Sequence, residues 1–298
     1  MKKWIIPILA AFVLASCNLP FTISLNTPIP PTPFPPQGTP EILVVTATNL
    51  PTALPTPTPQ FSGLEKNLGG VSMTIPTCLA SDASGVIIPE ENPGGDMPPF
   101  AFNPEYRRIT LIGYPLTGKF FEPMVQVYPV ARFVELVPDV STTVNGMQQL
   151  LNNHPANIQT GIPFLPIENA AQVFRAQVGY LNFQNGQGIG FLTEYAQYSA
   201  PVNNHDLFYT FQGLTNDGKY WISMLLPANA AYLQPAYNDN TLPAGGVAAP
   251  DMNSANFSNE MTAYYAAMVQ KLNGTPADQF TPSLSCISQF VQSINISD

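Results

Sequence analysis

The stretch "YLNFQNGQGIGFLTEYAQ" at residues 180–197, followed by "FYTFQGLTNDGKYWIS" at residues 208–223, decides the fold. Extended slightly, it resolves into four runs, "AAQVFRAQVGYLNF", "GIGFLTEYAQY", "LFYTFQGL" and "KYWISMLLP", separated by "QNGQ", "SAPVNNHD" and "TNDG". The runs are rich in β-branched and aromatic residues, which fit a pleated, packed surface. Asn-Gly and Asp-Gly supply hairpin turns because those residues tolerate positive φ. The reading is a four-stranded antiparallel meander with amphipathic faces: Ile189, Phe191, Thr193, Tyr195 and Gln197 on one side, Leu192, Glu194 and Ala196 on the other.

Upstream, "GVSMTIP" (70–76) is a strand that ends at Pro76, and residues 80–104 read as a Pro/Gly/Asp/Asn-rich loop with a short strand at "GVIIP". "RRITLIGYPL" (107–116) and "MVQVYPVARFVEL" (124–136) read as two further strands joined by "TGKFFEP". The period then changes. Val140, Val144, Met147 and Leu151 share one face of a helix that Asp139 or Ser141 caps and Pro155 stops. Downstream, Met261, Tyr264 or Tyr265, Met268 and Leu272 mark a second helix, with Ser258 as cap and Gly274 as stop. Leu284, Ile287, Val291 and Ile294 mark a third, with Thr281 as cap and Pro282 at the first position. The expectation is a single α+β domain over residues 61–298, an antiparallel sheet with helices packed on it.

That order of strands, helix, meander, C-terminal helix and closing "SINI" is similar to the PsbP-like fold. The resemblance covers residues 70–296 in outline, rests on element order, and carries over no functional residue. It implies an accessory or binding module of an extracytoplasmic assembly. Residues 180–223 also resemble a module of uncharacterised bacterial lipoproteins with Pro/Thr stalks.

The N-terminus points to the same address. Lys2 and Lys3 precede an apolar run from Trp4 to Ala15, shorter than the roughly 20 residues a membrane span needs and suited to a secretory signal. Leu14-Ala15-Ser16-Cys17 resembles the lipobox of bacterial lipoproteins. The resemblance implies that residues 1–16 are a removed signal peptide and that Cys17 carries a diacylglycerol and fatty acyl chains such as palmitate. The lipid bilayer is then a partner, and the domain lies on the extracytoplasmic face of the cell membrane. An ordinary signal peptide containing a cysteine is the plain alternative. Residues 17–60 hold twelve prolines between Pro20 and Pro59, a composition that favours an extended stalk of about 3.1 Å per residue. With Cys17 assigned to lipid, Cys78 and Cys286 remain, and an even count in an exported chain points to a disulfide, with two buried free thiols as the alternative.

Charged residues make up 10% of the chain and the net charge is −9. An acidic surface argues against nucleic acid and anionic lipid as electrostatic partners and leaves a cell-wall, glycan or protein partner open. No cofactor motif is present. Gly186, Gly188 and Gly190 spell GxGxG, but a dinucleotide loop needs GxGxxG opening a helix, so turn and close strand packing is the better account. His205-Asp206 has the form of a base and its orienting carboxylate, and with His154 and an acid it has the makings of a metal site. Neither HExxH nor GxSxG accompanies it. Glu90, Glu91 and Asp96 lie in a Pro/Gly loop without the DxDxDG calcium pattern. Tyr195, Tyr198, Tyr209, Phe211, Tyr220 and Trp221 divide between core and a stacking platform for sugars or peptides. The leading expectation is a non-catalytic binding or accessory domain on a stalk. A hydrolase using His205 and Asp206, or a structural envelope spacer, are the alternatives.

Overall fold

The computed structural model describes residues 61–158, 161–239 and 241–298. The lipobox, Cys17 and the stalk lie outside these residues. In chain order the elements are β1 (Leu64–Leu68), β2 (Val71–Ile75), β3 (Asp82–Ile88), β4 (Tyr106–Ile112), β5 (Met124–Pro129), α1 (Val130–Leu136) and α2 (Val140–Asn153). Then follow β6 (Ala171–Gln172), β7 (Ala176–Phe183), β8 (Gly186–Thr193), β9 (Tyr195–Ala196), β10 (Phe208–Thr215), β11 (Tyr220–Pro227) and β12 (Asn229–Ala230). The chain closes with α3 (Phe257–Gly274), β13 (Phe280–Thr281), α4 (Leu284–Ser293) and β14 (Asn295–Ile296).

The fold is α+β. A seven-stranded sheet runs β3-β4-β5-β11-β10-β8-β7, with every neighbouring pair antiparallel. The meander β7-β8-β10-β11 is therefore present as read, extended on the β11 side by β5, β4 and β3. A smaller sheet, β1-β2-β14, joins the first strand and the last to β2.

The meander's faces are not amphipathic. On one face Ile189, Phe191, Leu214 and Trp221 pack with Phe133 of α1 and with Val140, Val144, Met147 and Leu151 of α2. On the other, Leu192, Tyr209, Phe211, Ile222 and Met224 pack with α3, α4 and the small sheet. Helices cover both sides, so β10 is buried along its whole length and alternation loses its polar half. Among the few polar groups inside, Gln212 is fully paired: its Oε1 accepts from Trp221 Nε1 at 2.8 Å, and its Nε2 donates to Ser223 Oγ at 2.8 Å and Thr210 Oγ1 at 2.9 Å. A satisfied network of this kind fixes register without an unpaired buried group.

Two segments differ from the sequence expectation. The strand read over residues 124–136 stops at Pro129, and residues 130–136 form α1, which buries Phe133. Proline offers no amide to a ladder, and Phe133 and Val137 recur at helical spacing. The short strand read at "GVIIP" within residues 80–104 is present but longer, as the seven-residue β3, paired along its length with β4.

Caps also differ. Asp139 makes no side-chain cap, and Ser141 Oγ donates to Pro138 O at 2.6 Å instead. Asn256, not Ser258, holds the N-cap position of α3 and makes no side-chain bond, while Gly274 is its last residue. Ser283 rather than Thr281 caps α4, accepting from Ser285 N, because Thr281 is drawn into β13. The Asp217-Gly218 turn uses positive φ at Gly218 (71°), but the Asn185-Gly186 turn does not. Asn185 works through its side chain: Nδ2 donates to Ile296 O at 2.6 Å and Oδ1 accepts from Ile296 N at 3.0 Å, clamping β14 to the hairpin.

Cys78 and Cys286 are bonded, with Cα atoms 6.3 Å apart across 208 residues of sequence. The bond ties the turn after β2 to the buried face of α4. Ser293 Oγ reinforces the same junction, accepting from Thr74 N at 3.0 Å.

Candidate functional site

Antiparallel register brings one set of strand ends together. Phe208 opens β10 opposite Thr193 and Pro227, and Leu225 faces Met124. The loops that leave this end of the sheet enclose a cavity of about 480 Å³. Phe120 and Phe121 come from the β4–β5 connection, Glu168 from the segment before β6, Glu194 and Tyr195 from the end of β8 and from β9, and His205 and Asp206 from the loop before β10. A second cavity of about 710 Å³ adjoins it and also reaches Leu242 and Met252. Tyr198, Ala200 and Tyr237 line both.

The rings are continuous with the core. Phe120 packs edge-on to Phe121 at 4.8 Å, Phe121 edge-on to buried Phe208 at 4.8 Å, and Tyr195 lies 6.3 Å from Phe208. At the mouth, Tyr198 and Tyr237 meet at 6.3 Å and 74°. Large apolar side chains are exposed here to an unusual degree: Phe120 and Tyr198 at 61%, Tyr237 at 50% and Met252 at 79%. A contiguous apolar surface in a concave site is the ordinary form of a ligand pocket.

The polar side is built on Asn203, which is fully buried. Its Oδ1 accepts from the backbone amides of His205 at 3.0 Å and Asp206 at 3.1 Å, and its Nδ2 donates to Asp206 Oδ2 at 2.9 Å. Asp206 Oδ1 lies 2.6 Å from His205 Nδ1. The Asn203 amide donates to Glu194 Oε1 at 2.8 Å. Glu194 is 3% exposed. Burial, with the negative Asp206 nearby, pushes its carboxyl well above the usual carboxylate range, against the opposing pull of the Asn203 amide. Burial also pushes Glu168 up.

The structure thus brings His205, Asp206, Tyr195 and Tyr198 of the sequence candidates into one cleft. His154 is elsewhere: it ends α2 in a left-handed conformation (φ 42°) and stacks on Tyr180 at 4.4 Å. Among the described residues no group of three His, Cys, Asp or Glu side chains is placed to hold a metal. Glu90 is taken by Arg132, whose Nε and Nη2 reach its two oxygens at 2.7 and 2.6 Å, and Glu91 accepts from Asn103 Nδ2 at 3.0 Å. Tyr209, Phe211 and Trp221 are core, and Tyr220 holds Asp298 Oδ1 at 3.1 Å. The GxGxG run lies within β8, where a Cβ on Gly188 would overlap the Gln212 carbonyl and one on Gly190 the Tyr209 hydroxyl. Those glycines serve strand packing.

Sequence reasoning missed Glu168, Glu194, Phe120, Phe121 and Tyr237 as site residues. The signals were present in part: Glu194 is a lone acid at the end of an apolar strand run, and "FF" is out of place in a turn-like connection.

No family model, curated protein or solved structure matches the chain. Among the described residues no helix is long and apolar enough to cross a membrane.

Proposed function

We propose that the chain is an exported, lipid-anchored protein whose α+β domain binds a ligand in the cleft of Phe120, Tyr195, Tyr198 and Tyr237, without catalysing a reaction. Support for the anchor is the lipobox-like Leu14-Ala15-Ser16-Cys17 and the proline-rich segment behind it. The observation that carries the binding reading is the gathering of exposed aromatic and apolar side chains around two adjoining cavities at one end of the sheet. A thermal-shift screen with cell-wall fragments, glycans, peptides and amines tests it. Saturable stabilisation that Tyr198→Ala and Tyr237→Ala remove is the expected outcome. Stabilisation untouched by both changes sinks the assignment to this cleft. For the anchor, mass spectrometry of the mature N-terminus should find acyl mass on Cys17, and Cys17→Ser should release the protein from the membrane fraction; an unmodified Cys17 refutes it.

A hydrolase is the second reading, favoured by the 2.6 Å contact between His205 Nδ1 and Asp206 Oδ1 at the cleft. That pair supplies a base and its orienter. The described residues lining this cavity include no serine, threonine or cysteine, so the base would have to activate water or a substrate hydroxyl. Turnover abolished by His205→Ala supports this reading; turnover retained in that variant removes it.

A further inference from the structure

We propose that the cleft takes a small organic cation, a primary or quaternary amine, an inference that rests on the binding-domain reading above. The rings form a concave corner: Tyr198 and Tyr237 stand at 74° to one another, and Phe120 stands at 72° to the His205 ring, 6.4 Å away. Walls at such angles offer several ring faces to one compact group, which suits a cation attracted to the negative faces of aromatic rings. A flat sugar ring is better served by a single open face.

The second observation is the set of carboxyl groups on the same walls. Glu168, Glu194 and Asp206 come from three separate segments and line the one cavity. His205 is the only basic side chain among the described residues lining it, and its Nδ1 is engaged with Asp206. Lys119 precedes Phe120 in the chain but is not part of the lining, and its ammonium is already engaged, donating to Asn204 O at 2.7 Å and Asn229 Oδ1 at 2.6 Å. Among the described residues, the lining therefore has acids and π-faces but no free ammonium or guanidinium. Glu194 is the telling member, nearly fully buried with the Asn203 amide as its hydrogen-bond donor. Without a positive neighbour that buried carboxyl keeps its proton; a positive ligand beside it favours release of the proton to solvent, and the resulting ion pair is strong in a low-dielectric site. A neutral ligand forms no such pair.

Titration calorimetry of the full chain in a neutral polyoxyethylene detergent, with choline and with its uncharged isostere 3,3-dimethylbutanol, tests the inference. Choline should bind about tenfold more tightly than the isostere, as one or two cation–π contacts imply. Tyr198→Ala and Tyr237→Ala should each weaken choline several-fold, while Tyr198→Phe, which keeps the ring, stays close to wild type; circular dichroism confirms that the variants fold. Equal affinity for the two ligands overturns cation selectivity, and the cleft reading survives that result if the alanine variants weaken both. Choline binding that neither alanine variant affects overturns the site. No heat from choline overturns the inference, and a glycan and peptide series in the same cell then decides separately whether the cleft binds anything.

Discussion

Glu194→Gln is the most informative single substitution. Glutamine matches glutamate in shape, and its Oε1 can still accept the Asn203 amide, which reaches Glu194 Oε1 at 2.8 Å. What it removes is the ability to ionise. In the folded protein burial raises the Glu194 carboxyl well above its ordinary value of 4.5; in the unfolded chain it titrates near that ordinary value. Between those limits the native state holds a proton that the unfolded state has lost, so stability falls as pH rises. One proton corresponds to about 1.4 kcal/mol per pH unit, from just above the unfolded value until the folded carboxyl itself ionises. Glu168, raised in the same direction, is present in both proteins and cancels in the comparison. Urea unfolding of wild type and variant at pH 5, 6, 7 and 8 gives the difference directly. Wild type should lose ground to Glu194→Gln by about 1.4 kcal/mol for each unit through the lower part of that range. Parallel stability curves would refute the claim that the carboxyl is held protonated by burial.

Replacing both Cys78 and Cys286 by alanine opens a loop of 208 residues, for which chain entropy gives a loss of about 5 kcal/mol as an upper figure; a change under about 1 kcal/mol in urea would show that the unfolded chain is already constrained there. Gly188→Ala drives a Cβ into the Gln212 carbonyl and Gly213 Cα, and should cost about 1–3 kcal/mol, read as a lowered melting temperature; an unchanged melting point would mean that β8 and β10 separate at no cost. Arg132→Ala removes a surface ion pair with Glu90 and should leave the urea unfolding midpoint nearly unchanged, because solvent screens exposed pairs; a clear fall in the midpoint would mean that the pair anchors the loop after β3 to α1 rather than decorating the surface.

The parts legible in sequence were those governed by local periodicity. Val140, Val144, Met147 and Leu151 are the buried face of α2 as their spacing implies, and the same holds for Met261, Tyr264, Met268 and Leu272 in α3. The meander was legible because β-rich runs and turn residues agree. Two-sided burial was not, since an uninterrupted apolar strand and a half-buried one differ only in what packs on the second face, and α2, α3 and α4 reach the meander from other parts of the chain. The caps failed for a related reason: Ser283 displaced Thr281 because β13 pairs Thr281 with Asn229. At the site, His205 and Asp206 are neighbours in sequence and were visible. Glu168 and Phe120 join them only through loops that meet at the ends of antiparallel strands, and no local pattern records such a meeting.

The placement of the bridge also sets how the domain answers to mechanical load. Tension applied through the residues preceding Phe61 enters at β1, which pairs antiparallel with β2. A hairpin loaded at its open end peels one hydrogen bond at a time. The peeling front reaches Cys78 soon after β2, and there the covalent bond to Cys286 carries the load directly into α4, beneath the main sheet. Only residues 61–77 can pay out, a slack of about 60 Å at full extension. Beyond that length such tension passes through the bond into the core, and the loops around the cleft lie between Cys78 and Cys286 in the chain, inside the covalently closed loop.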